Sequence, residues 1–229
     1  MSDGLLPPDV EGWLTEAQAG RLALAAAGVG AGGRIVEIGS FRGRSTIVLA
    51  RAAPASAEVV AIDPHIGSDR GPQEFDVDEE LGEDDTRTFR ANLARHGVLE
   101  RVRHVRRLSS EAHGDVVDPI DVLWVDGAHR FGPALADLRD WGARVRPGGR
   151  MLVHDAFSSV GVTLALLRCV TFSRRWRYAG RAGSLVEYVR EPAGVASAVR
   201  QLALLPWFGW NVVLKVLTLL RIRRGAWPY

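Results

Sequence analysis

The chain has 229 residues, 47% apolar and 24% charged, with a formal net charge of +2. That suffices for one globular domain with a small appendage, and the balance argues against holding nucleic acid by bulk electrostatics. Cys169 is the single cysteine, which excludes an internal disulfide and suits a buried, inert thiol in a reducing compartment.

Met1-Ser2-Asp3-Gly4 lacks the basic region and long apolar run of a signal peptide, so a cytoplasmic location is expected. Thr15-Glu16-Ala17-Gln18 has the pattern of a capping box and predicts a helix through the alanine-rich run to Ala27. A strand is predicted over 34–38, a helix over about 44–53, and a second strand over 58–62 that ends at Asp63-Pro64-His65. Residues 67–85 are too polar and too long for a plain connector; within them, 74–85 reads as a solvated acidic loop in preference to a lid. A helix resumes near Asp85 and stops at His96-Gly97. Strands follow at 102–105 and 120–125, the latter apolar on both faces as a central parallel strand is. Residues 131–141 have helical spacing. Pro147-Gly148-Gly149 is a turn before a strand at 151–153, followed by a helix over 160–170 and a hairpin of 177–180 and 184–189. This alternation predicts an α/β fold, a mostly parallel sheet with helices on both faces.

The first strand runs into Glu37-Ile38-Gly39-Ser40-Phe41-Arg42-Gly43 and then a helix N-terminus. Gly39 permits a sharp turn, and Gly43 permits close approach of a ligand to the backbone. The spacing is G-x-x-x-G, without the G-x-G-x-x-G of a pyrophosphate cradle and without a Walker lysine. A ligand without a diphosphate follows. Asp63, at the end of the second strand, is suited to accept ribose hydroxyls. Asp126 and His129 follow the fourth strand, and His154 and Asp155 the fifth, so all four converge on the crevice outside the strand ends. Two carboxylates with a histidine suit a divalent cation, Mg2+ by the oxygens, with the imidazole tolerating others.

The E-x-G-x-x-x-G element resembles the first cofactor motif of class I S-adenosylmethionine (SAM)-dependent methyltransferases. The D-G-x-H and H-D elements resemble a subfamily related to macrolide-sugar and natural-product O-methyltransferases. The likeness runs over roughly residues 10 to 190 and includes Gly12-Trp13-Leu14-Thr15 and the Pro-Gly-Gly turn. It implies a Rossmann-like sheet of seven strands closed by an antiparallel hairpin, with residues 1–30 as a helical lead, 31–190 as the SAM-binding domain and 191–229 as a tail. It implies Glu37, Gly39, Ser40, Gly43, Asp63 and Ser109 at the cofactor, although a helix cap is an equal reading of Ser109. It implies His129 as base, with Asp126 beside it, and Asp126, Asp155 and His154 as ligands of Mg2+ or another divalent cation. His154 and Ala156 depart from the acidic and Asp-Asn pairs of metal-dependent relatives, which weakens a tight magnesium site.

Residues 202–220 are nearly all apolar, broken by Pro206, Gly209, Asn211 and Lys215, and Arg221, Arg223 and Arg224 follow. Trp207 and Trp210 with a basic end give 202–224 the profile of an interfacial helix at a membrane surface, which extends the location to the inner membrane face. Packing on the domain or on a second subunit, as a homo-oligomer, is the competing reading; a lysine and a proline disfavour a span. The leading function is SAM-dependent methylation of a hydroxyl on a sugar, glycolipid or secondary metabolite. The alternatives are a membrane-associated scaffold of the same fold without turnover, and a nicotinamide dehydrogenase, which the missing G-x-G-x-x-G disfavours.

Overall fold

The computed structural model describes residues 4–67 and 77–219. Residues 68–76 of the acidic insert and the terminal arginines Arg221, Arg223 and Arg224 lie outside the described residues. The order is α1 (Glu16–Ala27), β1 (Arg34–Ile38), α2 (Arg44–Ala52), β2 (Glu58–Ile62), α3 (Glu79–Arg95), β3 (Val102–Val105), β4 (Ile120–Val125), α4 (Phe131–Ala136), β5 (Val145–Val153), α5 (Val160–Cys169), β6 (Trp176–Ala182), β7 (Leu185–Arg190), α6 (Val195–Leu202) and α7 (Leu205–Leu219). The seven strands form one sheet in the order β3-β2-β1-β4-β5-β7-β6. β1 to β5 run parallel, and β7 enters antiparallel between β5 and β6.

Each sheet face carries its own apolar layer. Leu22, Ile47, Leu49, Phe89 and Leu93 from α1, α2 and α3 cover one face, over Ile35, Val59 and Trp124. Leu138, Trp141, Val162 and Leu166 cover the other, over Val36, Leu123 and Met151. Central strands buried on both sides account for their unbroken apolar runs. The capping box forms as the sequence predicts, with Thr15 and Gln18 bonded to each other's backbone.

Four elements depart from expectation. α3 begins at Glu79, because Asp78 caps it by accepting from the Leu81 N–H at 3.0 Å and Glu79 and Glu80 favour the positive end of the helix dipole. Residues 79–85 are therefore helix, not loop. The 131–141 helix changes character at Asp137, where a π-type turn (Asp137–Trp141) takes over. β5 begins at Val145, and the Pro-Gly-Gly turn sits inside it as a register shift opposite Ile120 and Val122. The tail is two helices, α6 and α7, with Ala203 and Leu204 between them.

Candidate active site

Gly39, Asp63, Asp126 and His154 each stand one residue past the end of adjacent parallel strands. Their N–H groups extend the ladders: Gly39 donates to Ile62, Asp63 to Val105, Asp126 to Ile38 and His154 to Val125, at 2.8–3.1 Å. Strand spacing then lays the row from Asp63 to His154 across about 14 Å of the sheet's C-terminal edge. The chain order reverses between β1 and β4, so the middle of the row is the switch point at which open α/β sheets bind ligands.

Gly39 is at φ +84°, and a Cβ there would collide with the Asp126 carbonyl. Its requirement is thus close approach of two loops across the switch point. Gly43, at φ +89°, faces the Phe89 ring, against which a Cβ would sit at 3.1 Å. The second glycine thus also serves helix packing within the chain, beside the close approach to a ligand that the sequence suggests.

Glu37 is fully buried and accepts hydrogen bonds from Ser45 Oγ and from Thr46 Oγ1. Burial pushes its pKa up to about 8 against the pull of the two hydroxyls, with the charges of Asp126 and Asp63 adding to the rise. Among the described residues it has no cationic partner, so a bound cation would find a carboxyl that lacks one. Ser40 Oγ is buried with no hydrogen-bond partner among the described residues.

Asp63 is buried, and its carboxylate is engaged by the chain itself. Oδ2 accepts the N–H groups of Ser40 and Phe41, both at 2.8 Å, and Oδ1 accepts that of His65 at 2.8 Å. The acid expected at a ribose therefore also pins the glycine turn. His65 Nε2–H donates to the Phe41 carbonyl at 2.7 Å, and Arg42 reaches back to Asp85 at 2.9 Å and Glu11 at 2.7 Å. Ser109 Oγ donates to Asp137 at 2.5 Å, and burial raises the Asp137 pKa to about 6. Asp137 escaped the sequence reading; beside Arg139 and Asp140 it looks like one more charge on a solvated helix face.

His129 Nε2–H donates to Asp155 Oδ2 at 2.8 Å, and Ser158 Oγ donates to Asp155 Oδ1 at 2.7 Å. This bond fixes the His129 tautomer with its basic lone pair on Nδ1. His154 Nδ1 lies 3.1 Å from Asp126 Oδ1 and 3.5 Å from Asp155 Oδ2. Burial opposes charge on His154, but the two carboxylates prevail and hold its pKa well above the ordinary value. Burial alone would raise Asp155, yet His154 and the hydrogen bond from His129 hold it well below the usual carboxylate range. Asp126, His154 and Asp155 offer donor atoms within 4.8 Å of one another. The set fits a divalent cation, provided His154 gives up its proton to ligate. All four residues expected to converge here do so.

The turn after β5 is unusual. Asp155 and Phe157 have φ of +52° and +57°, values that residues other than glycine adopt only when held. The turn is held by its own bonds, the Ser158 and Ser159 N–H groups donating to the Asp155 carbonyl at 3.2 and 2.9 Å, and by α7, where Asn211 Nδ2 donates to the Phe157 carbonyl at 3.2 Å and Lys215 Nζ to the Ser158 carbonyl at 2.8 Å. Neither was expected near the site. Burial pulls the Lys215 ammonium below its ordinary pKa, opposed by the charge of Asp155.

A family described as a methyltransferase domain matches residues 36–156, more than half of the chain. The chain belongs to that family. With it comes membership of the class I SAM-dependent methyltransferases, whose seven-stranded fold is the one observed. Solved structures agree in fold. Cofactor-bound Rv0187 from MTB is 20% identical at a TM-score of 0.61, over 81% of this methyltransferase and 83% of that chain. An O-methyltransferase from Bacillus cereus in complex with S-adenosylhomocysteine (SAH) is 19% identical at 0.58, over 80% and 84%. TomG from Streptomyces achromogenes, an O-methyltransferase of tomaymycin synthesis in complex with SAM, is 23% identical at 0.56, over 80% and 83%. Among the described residues, no helix of the methyltransferase is long and apolar enough to cross a membrane.

Proposed function

We propose that the protein transfers the methyl group of SAM to a hydroxyl of a small molecule: a sugar, a glycolipid or a secondary metabolite. Residues 31–190 act as the SAM-binding unit, flanked by 1–30 and by the tail. The observation that carries this reading is the His129–Asp155 pair at 2.8 Å beside Asp126 and His154, at the switch point of a methyltransferase sheet. The hydroxylated acceptors follow from the family likeness of D-G-x-H and H-D, and from the O-methyltransferases that share the fold.

Glu37 and the Ser40 hydroxyl offer a carboxyl that ionises beside a cation and an unused hydrogen-bonding group to the amino-acid end of SAM. Asp63, one strand further along the edge, and Ser109, after the strand beyond it, face the nucleoside end. In the reaction the acceptor oxygen bonds to the methyl carbon as the carbon–sulfur bond breaks, leaving neutral SAH. His129 takes the hydroxyl proton as that bond forms, since an alkyl hydroxyl is far too weak an acid to ionise beforehand. Asp155 orients the ring and stabilises the imidazolium. Asp126, Asp155 and His154 would hold a divalent cation, which would lower the acceptor pKa and fix its position. Alignment of acceptor and donor remains the largest contribution available, on the order of 7–11 kcal/mol at best.

The test is calorimetric titration of SAH into the full-length protein, with Mg2+ or with EDTA, followed by labelled-methyl transfer from SAM to a panel of hydroxylated acceptors. Micromolar SAH binding with transfer to oxygen is expected. Well-folded protein that binds no SAH would overturn the reading and favour the scaffold of the same fold.

A further inference from the structure

Helix α7 is amphipathic, but its polar edge faces inward. Asn211 is buried at 2% exposure and Lys215 reaches inward as well, both spent on carbonyls of the Phe157–Ser158 turn. The opposite stripe, Pro206, Trp210, Val213 and Val216, is exposed, with Trp210 at 59% and both valines at 47%. Spacings of four, three and three residues put these on one side of the helix. Val195 and Val199 of α6 are exposed too, at 81% and 57%. A domain-packed helix normally turns its apolar stripe in; a contiguous apolar face turned out marks a contact with something else.

Charge and shape select the occupant. After Glu191 the sequence has no Asp or Glu, while Arg200, Arg221, Arg223 and Arg224 are basic and Lys215 is turned inward. Trp207 lies beneath the Arg181 guanidinium at 4.5 Å, next to the exposed Trp210. The exposed Trp210 indole, the Arg181 guanidinium over Trp207 and a tail sequence without acid match the headgroup boundary of an anionic bilayer. Asn211 and Lys215 tie α7 to the Phe157–Ser158 turn, so one side of the helix is taken up by the domain and the other lies along a bilayer instead of crossing it. A second copy is a poorer match, since four side chains fall far below the ~800 Å² that each partner of a stable pair contributes.

We infer that the outward face of α7 docks the protein on an anionic lipid surface. The same helix grips the turn that carries Asp155, so the site opens beside the bilayer. That last consequence rests on the proposed methyl transfer; the docking does not.

The test is flotation of the full-length protein with phosphatidylcholine vesicles, with and without phosphatidylglycerol. Binding is expected to the anionic vesicles, weakening with salt, and falling at least ~10-fold in the triple variant Trp210→Ser/Val213→Ser/Val216→Ser. SAH affinity and melting temperature of that variant should match the parent, because the three side chains face away from the core. Absence of binding to either vesicle, or undiminished binding by the triple variant, would overturn the inference. So would a dimer in sedimentation that the variant dissolves, which assigns the face to a second copy. Vesicle binding without SAH binding keeps the docking and removes the methyl transfer.

Discussion

The ammonium of Lys215, in the last helix described, donates to the carbonyl of Ser158 across 2.8 Å. That carbonyl belongs to a turn with two left-handed residues, Asp155 and Phe157, each costing on the order of 1–3 kcal/mol to maintain. The matched family region ends at residue 156. A helix outside it therefore helps to aim a carboxylate inside it. Lys215→Met should lower kcat by about 10- to 100-fold through misplacement of Asp155, with SAH affinity unchanged. Steady-state kinetics with calorimetry on the same samples would check this, and a loss confined to KM would refute it.

Replacement of His129 by Asn removes the proposed base and keeps a polar side chain of similar reach. The expected fall in kcat is about 10²- to 10⁴-fold. Asp155→Asn should lose much of the same activity, and the double variant should be little worse than His129→Asn, because the pair acts as a unit. Strict additivity of the two losses would contradict the orienting role of Asp155.

Glu37 should make cofactor binding depend on proton uptake and release. Its folded pKa, raised by burial to about 8, exceeds the ordinary 4.5. Its contribution to stability is therefore complete below pH 4.5 and is lost as pH rises through 8. A cationic ammonium beside it favours the carboxylate, so SAH binding at pH 7 should release a proton and tighten toward pH 8. Calorimetry in buffers of different ionisation enthalpy measures that release, and Glu37→Gln should abolish it.

Gly39→Ala places a Cβ against the Asp126 carbonyl at a backbone φ of +84°. Strain and collision together should cost about 2–4 kcal/mol, read as a lowered urea midpoint. Because the collision lies across the switch point, SAH affinity should fall as well. Retained stability with lost affinity would instead show that the glycine serves the ligand alone.

The sequence located β1, β2, β3 and β4 to the residue; β1, β2 and β4, buried on both faces, are short apolar runs with glycine or aspartate at the exit, while β3 is an edge strand of Val-Arg-His-Val. It also found every strand-end group, because parallel topology sends those residues to one edge. It missed the start of α3, where Asp78-Glu79-Glu80 resembles a solvated loop although it is a cap followed by acids that the helix dipole favours. The start of β5 was hidden by a Pro-Gly-Gly bulge inside the strand. The faces of α7 could be separated by period but not assigned a direction. Periodicity says that Asn211 and Lys215 share an edge, and it carries no information that the carbonyls of Phe157 and Ser158 wait for them.

β7 runs antiparallel to β5, so the chain leaves the sheet near Arg150, at the end away from the site. Helix α6 carries it back up, seated by Gln201, whose Oε1 accepts from Thr171 at 3.0 Å and Tyr188 at 3.1 Å. α6 thus works as a phasing spacer. One residue inserted between Gln201 and Leu205 would turn α7 by about 100° and present Lys215 to solvent, with every residue of the strand-end row left unchanged. In this chain the length of a connector is as much a determinant of the site as the side chains in it.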